Sequence, residues 1–384
     1  MRALSRTLVR TRGLRPLLFC TLGGLLVIGS LSSAQADPVW SSVSYTPFGT
    51  MQGLNADATK AWAVPTVGDE QAYKLRGVVL NNPADMLDST PNYNTTTPWY
   101  MGGQWQIFVA AASAVQDPSQ PSNLVGDYGG AALWIGQNYG NHGMYSGNPN
   151  RAEYCYTNAE WLSEVQRLEY PVGLAGQPVT EPLRAGDLVE IRARGGLFYK
   201  GKFNVNEQHD NDPIRNFDVV VLARDVDLTP TDLELSTVKD ASNNWYSSAD
   251  RTLAANPEHY QATLVRLQDM TLASGTWAPN ASITIQDSQG RTIPALVGLD
   301  PAFSGVAPTG TFDVVGIFDQ EPSSWDGSHD PLSGYRLWIV DAGQFGAAAG
   351  VPEPSALALV LAGIAVVAVA SRRGSGRTRG DDLA

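Results

Sequence analysis

The side chains that could do chemistry are few and scattered. His142, His209, His259 and His329 are the only imidazoles in 384 residues, and no two stand in H-x-H or H-x-x-x-H spacing. No G-x-S-x-G, complete phosphate-binding G-x-x-x-x-G-K-[ST] or C-x-x-C occurs either, so the common hydrolase, nucleotide and redox signatures are missing. Metal-assisted hydrolysis needs clustered carboxylates with His or Lys. The nearest approach is the run Asn206-Glu207-Gln208-His209-Asp210-Asn211-Asp212 before Pro213. Its Glu207, Asp210 and Asp212 could contribute oxygens to Ca²⁺, which takes six to eight. The D-x-D-x-D-G order of an EF-hand is absent. The run therefore reads foremost as a solvated acidic turn, with a Ca²⁺ site second and catalysis third. No cofactor is expected beyond that Ca²⁺ option, and no catalytic residue is assigned.

A second stretch, Arg192 to Phe203, mixes basic and aromatic residues, with Phe198, Tyr199, Lys200 and Lys202 close together. Aromatic rings beside a basic groove can stack single-stranded bases. Alternation along one strand would instead send Phe and Lys to opposite faces. Core aromatics with snorkelling lysines are the plainer expectation. Trp99, Tyr100, Trp105, Trp134, Tyr139 and Tyr145 gather around Gly- and Asn-rich loops. Such rings suit sugar contact, although most Trp in proteins are substantially buried.

Short β-rich runs separated by Gly, Pro, Asn and Asp must carry these groups. Strands are expected at Tyr73–Leu80, Trp105–Ala111, Ala131–Gly136, Asp187–Arg194, Phe198–Val205 and Phe217–Ala223. Four more are expected at Tyr260–Leu267, Ser282–Gln286, Phe312–Phe318 and Tyr335–Val340. Alternation at Val189, Ile191, Ala193 and at Ile283, Ile285 supports this all-β reading. One helix interrupts it. Thr157 and Glu160 have capping-box spacing, Trp161, Leu162, Val165 and Leu168 follow, and Tyr170-Pro171 ends the run. Tyr73–Leu80 aligns loosely with Tyr260–Leu267, Gly186–Ile191 with Gly310–Val315, and Phe203–Val205 with Leu337–Val340. A duplicated unit follows.

Three strands, a helix and further strands are the order of the OB-fold, a five-stranded Greek-key barrel. The stretches from Arg184 and from His259 resemble the tandem OB-like modules of secreted bacterial proteins. The expected fold is therefore all-β, with two OB-like barrels and one short helix in the first. A signal helix would precede them and a hydrophobic helix would follow. The expected parts are an N-terminal segment at 37–67, a first domain at 68–225, a polar connector at 226–257 and a second domain at 258–345.

The two ends read as addresses. Arg2, Arg6, Arg10, Arg12 and Arg15, the apolar run Leu17–Leu31 and Ala34-Gln35-Ala36 make up a signal peptide over 1–36, cut after Ala36. Signal peptidase and the Sec export route are its implied partners. At the other end stand Pro352-Glu353-Pro354, apolar Ala356–Ala370 and Arg372-Arg373. This run of 15 residues falls short of the roughly 20 that span a bilayer comfortably, so its membrane residence would be transient. The tail 346–384 resembles the PEP-CTERM sorting signal of bacterial exported proteins. The resemblance implies processing by an exosortase-type membrane protease and delivery to the cell surface or extracellular matrix.

Charge narrows the partners. The whole chain carries −12, but its basic residues concentrate at the ends. Without the leader and the tail, 17 basic and 35 acidic residues leave −18. Nucleic acid is thereby disfavoured as a general partner, while extracellular polysaccharide remains open. Cys155 is the lone thiol of the exported body, so no disulfide staples it. The sequence points to a structural or adhesive surface protein and not an enzyme. The alternative is a secreted OB-fold module binding polysaccharide or single-stranded nucleic acid. A metal-dependent phosphoesterase or nuclease accessory ranks third.

Overall fold

Alternation along the strands decides what each face of the molecule meets. In β2 (Gln104–Ala111), Trp105, Ile107 and Val109 turn to one side and are buried, whereas Gln104 and Gln106 turn to the other. The computed structural model describes residues 40–62, 72–97, 100–111, 127–139, 151–199, 201–206, 217–321 and 332–347. All of these lie within one compact unit, Gln35–Ala384. The protein is mainly β, with few helices, and is built from one closed five-stranded barrel and one further sheet.

The first sheet contains β1 (Tyr73–Val79), β2, β3 (Gly130–Gly136), β4 (Val172–Gly173), β5 (Leu188–Ala193), β6 (Leu197–Tyr199), β7 (Lys202–Asn206) and β8 (Asp218–Ala223). Their order is β4-β8-β5-β1-β2-β3-β7-β6. Neighbours are antiparallel except at β3–β7 and β4–β8. Its core packs Trp105, Trp161, Phe203, Phe217, Leu75 and Ile191. Phe48 and Met51 of α1 (Phe48–Met51), from the segment ahead of β1, belong to that same core. Gln52 then ties β3 to β7. Its side-chain amide donates to Gly130 O and Phe203 O, both at 2.9 Å, and its oxygen accepts from Phe203 N at 2.8 Å.

Helix α2 (Asn158–Glu169) starts at the anticipated capping box. The Thr157 hydroxyl accepts from Glu160 N at 3.4 Å, and the Glu160 carboxylate accepts from Thr157 N at 2.8 Å. Trp161, Val165 and Leu168 face the core, but Leu162 points outward and is 56% exposed. Trp161 Nε1 donates to Ser89 O at 2.6 Å, so even this core indole is satisfied.

After β9 (Thr231–Asp232) and α3 (Leu235–Val238) comes the barrel. Its strands are β10 (Thr263–Gly275), β11 (Ser282–Gln286), β12 (Thr292–Val297), β13 (Phe312–Gln320) and β14 (Tyr335–Ile339), with β15 (Phe345–Ala347) beside β13. The ring runs β10-β11-β12-β14-β13 and closes through β13–β10 pairing. Only β12–β14 is parallel within it. Strand β10 makes this closure by bending, with register shifts at Leu267/Met270 and Leu272/Ser274. Strand β12, outside the expected strands, contains Pro294, a residue disfavoured in central strands. Here Pro294 is exposed and precedes Ala295, the first residue paired with β14. The stretch read as a polar connector supplies Leu233, Leu235 and Val238 to the barrel core.

Sheet and barrel share a smaller apolar seam. Leu80, Met86, Phe108 and Ala132 meet Ala262, Ile317, Trp338 and Val340. The approach is close at Gly298, where a Cβ would lie 2.4 Å from Asp85 O. Leu299 N also donates to Asp85 O at 2.8 Å. A buried arginine adds a second tie. Arg251 donates to Gln52 O and Glu258 O, and its Nη1 lies 3.7 Å from the Glu258 carboxylate.

One expected strand is corrected. Phe198–Val205 is a hairpin, not a single strand, with Phe198 opposite Phe203 and Tyr199 opposite Lys202. Gly201, in the turn, sits at φ 87°. Among the described residues no helix is long and apolar enough to cross a membrane. The apolar run Ala356–Ala370, the leader with Ala34 and Ala36, the motif Pro352-Glu353-Pro354 and the basic pair Arg372-Arg373 lie outside the described residues.

Candidate functional site

Strand alternation places a polar face opposite the buried face of the first sheet. Gln104 and Gln106 of β2, Ala132 and Trp134 of β3, and Lys202, Asn204 and Asn206 of β7 all turn to it. Register aligns them in rows across the strands. Gln106 stands beside Trp134 and Trp134 beside Asn206, while Phe108, Ala132 and Asn204 form the next row. The barrel's β14 faces this surface with Arg336 and Trp338. Between them lies a cleft of about 590 Å³, within the roughly 300–1,000 Å³ range of small-ligand sites.

Trp134 is a half-buried ring of the cleft. Its Nε1 donates to Gln104 Oε1 at 3.3 Å, and Tyr139 meets it edge-on with centroids 5.1 Å apart. The indole reaches over Gly136, where a Cβ would lie 2.7 Å from the ring. The absence of a side chain there lets Trp134 lie along the sheet rather than stand upright from it.

One end of the cleft holds four charges that cancel. Asp319 of β13 is fully buried. Its carboxylate accepts from Lys202 Nζ, from Arg336 Nε at 2.9 Å and from Trp338 Nε1 at 3.1 Å. Arg336 also donates to Glu321. Burial pushes Asp319 upward, but the charges of Lys202 and Arg336 outweigh it and hold the carboxyl below the usual carboxylate range. Burial, then the Glu321 charge, pushes the Tyr199 phenol up to about 12, so Tyr199 is neutral at physiological pH. The Lys202–Asp319 pair joins the first sheet to the barrel, because its two ends belong to different bodies.

The amides are less constrained. Asn204 is 7% exposed, and Asn204 Oδ1 and Asn206 Oδ1 have no hydrogen-bond partner among the described residues. The arrangement can stack a planar or ring-shaped ligand on an indole and satisfy its polar edge from amides and neutralised charges. It brings together no nucleophile and base poised for proton transfer among the described residues.

Of the anticipated ligand-binding group, Tyr199 and Lys202 line the cleft. Phe198 packs against the first core, and Lys200 lies outside the described residues. The hairpin explains the split: Tyr199 and Lys202 are directly opposed and share a face, which a single strand would not have given. Trp134 and Tyr139, singled out as sugar-contact candidates, are both here, whereas Trp105 is in the core. Trp99 and Tyr145 lie outside the described residues, as do Glu207, Asp210, Asp212 and the histidines other than His259. His259 stacks on Tyr128 with centroids 4.9 Å apart, and its Nδ1 lies 2.8 Å from Arg251 O. Among the described residues no three metal-ligating side chains converge. Cys155 is buried.

Sequence reasoning passed over Asn204, Gln104, Gln106, Asp319, Arg336 and Trp338, and met Asn206 only as the first residue of the acidic run. The signal available was the i, i+2 spacing of Gln104 with Gln106 and of Lys202, Asn204 and Asn206 on strands that otherwise bury apolar residues. No family model matches the chain, and no curated protein matches it.

Proposed function

We propose that this chain is an exported surface or extracellular-matrix protein, structural or adhesive and non-catalytic, which holds its partner in the cleft between two OB-like modules. The observation that carries the reading is the position of the cleft. In the first sheet β5 pairs with β1 and β6 with β7, and only Arg194-Gly195-Gly196 separates β5 from β6 along the chain. The order β1-β2-β3-β7-β6 then matches the barrel's β10-β11-β12-β14-β13, with the parallel pair in the same place. Helix α2 follows the third strand, as in the OB arrangement. In OB-folds the face of the second and third strands receives oligonucleotides and oligosaccharides. The cleft lies over that face.

Export rests on the leader ending at Ala36, and surface sorting on Pro352-Glu353-Pro354, the apolar run and the Arg cluster. Exosortase-type processing would release the body outside the cell. The test is made in the producing cell with the full chain and its Trp134→Ala variant. Both should mature to the same two ends, found by mass spectrometry. The parent should stay with the surface or matrix fraction, and the variant should be released to the medium. A body retained in the cytoplasm refutes export. Equal distribution of parent and variant refutes adhesion through the cleft.

A further inference from the structure

We infer that the cleft takes an uncharged, hydroxyl-rich ligand, a saccharide seated against Trp134 with its hydroxyls on Asn204 and Asn206. This rests on the reading of the cleft as the binding site and adds the chemical class of what enters it. Three features select that class.

The first is charge. Among the described residues, Lys202 and Arg336 are the cations lining the cleft, and both are already bonded to Asp319 or Glu321. The four formal charges sum to zero. An anionic polymer would find no unneutralised cation here among the described residues and would also approach a body of net −18. Anion sites are built the other way, with uncompensated Arg or Lys.

The second is the amides. Asn204 is more than nine-tenths buried, lines the cleft and has an unpaired carbonyl oxygen. Asn206, half-buried on the next outward position of β7, also has an unpaired carbonyl oxygen. A buried acceptor left unpaired is costly until a donor arrives. The χ2 torsion of Asn is broad, so each amide can turn its NH₂ or its oxygen toward a ligand. Phosphate and ionised carboxylate are acceptors only and leave these oxygens unpaired. A hydroxyl both donates and accepts, and a sugar brings several at fixed spacing.

The third is the ring. Trp134 lies along the sheet over Gly136. A pyranose has one face of axial C–H bonds, which loses water favourably against an indole face. Its equatorial hydroxyls then point sideways, toward the row of Gln106, Trp134 and Asn206 that the strand register sets.

The purified full chain, kept in mild detergent, is titrated by calorimetry and Trp fluorescence. The probes are neutral oligosaccharides (cello-, xylo-, chito- and malto-oligomers), with oligo(dT) and polygalacturonate as polyanions. At least one neutral oligosaccharide should bind, with a Kd that does not move between about 50 and 200 mM NaCl. Trp134→Ala and, separately, Asn204→Leu should each weaken it by at least about tenfold, with circular dichroism unchanged. Flat titrations across the neutral panel overturn the inference. A polyanion that binds with a steep salt dependence and is lost in Trp134→Ala overturns the ligand class while leaving the cleft as the site. Saccharide binding that survives both substitutions overturns the cleft reading as well.

Discussion

Replacing Lys202 with Met keeps most of the stem packing but removes one charged donor from a fully buried carboxylate. Asp319 retains Arg336 at 2.9 Å and Trp338 at 3.1 Å, so its charge is not orphaned. Complete loss of a partner from a buried pair costs about 3–5 kcal/mol, whereas one hydrogen bond to a charged group contributes about 1.5–3 kcal/mol. With two donors left, about 2 kcal/mol is the expected loss for Lys202→Met. Equilibrium urea unfolding at pH 7 should show a lower midpoint with an unchanged slope. The folded carboxyl is held below its usual range, so its contribution is present above the unfolded Asp pKa of about 3.9. That contribution is lost as pH falls toward the depressed folded value. The gap between parent and variant should therefore be full at neutral pH and shrink below about pH 4. An unchanged midpoint at pH 7, or a gap that persists undiminished into acid, would refute the reasoning.

Three further outcomes follow from the same geometry. Asn204→Leu should raise stability by about 1 kcal/mol, because a buried unpaired acceptor disappears. The urea midpoint checks it, and destabilisation would mean that the amide supports the fold. Gln52→Ala should cost at least about 3 kcal/mol, since Phe203 N and two carbonyls lose their partner between β3 and β7; thermal unfolding reads this. Gly298→Ala forces a Cβ against Asp85 O across the seam and should cost about 1–3 kcal/mol. Limited proteolysis should then cut between sheet and barrel faster than in the parent.

Much of the architecture was legible because strand alternation is a local signal. Val189, Ile191 and Ala193 face one core and Ile283 and Ile285 the other, as their period of two implied. The capping box at Thr157 and Glu160 likewise depends on residues three apart. Among the segments paired by loose similarity, Tyr73–Val79 and Thr263–Gly275 each lie between two antiparallel neighbours. Strand β12 lay outside the expected strands, and its Pro294 is a residue disfavoured in central strands. The hairpin within Phe198–Val205 was hidden because Lys200-Gly201 lacks the Asn-Gly or Asp-Gly pair that marks such turns most strongly. The cleft was only half visible. Trp134, Tyr139, Tyr199 and Lys202 attracted notice by type. Their partners Asp319, Arg336 and Trp338 stand more than 110 residues further along, and only the seam between sheet and barrel brings them near. No local pattern encodes that juxtaposition.

A crystal structure of the protein soaked with a neutral oligosaccharide tests the binding claim most directly. Sugar density over Trp134, between β2-β3-β7 and β14 and within reach of Asn204 and Asn206, is the predicted result. Sugar bound elsewhere on the molecule with the cleft empty, or a cleft closed by a polypeptide segment, would contradict it.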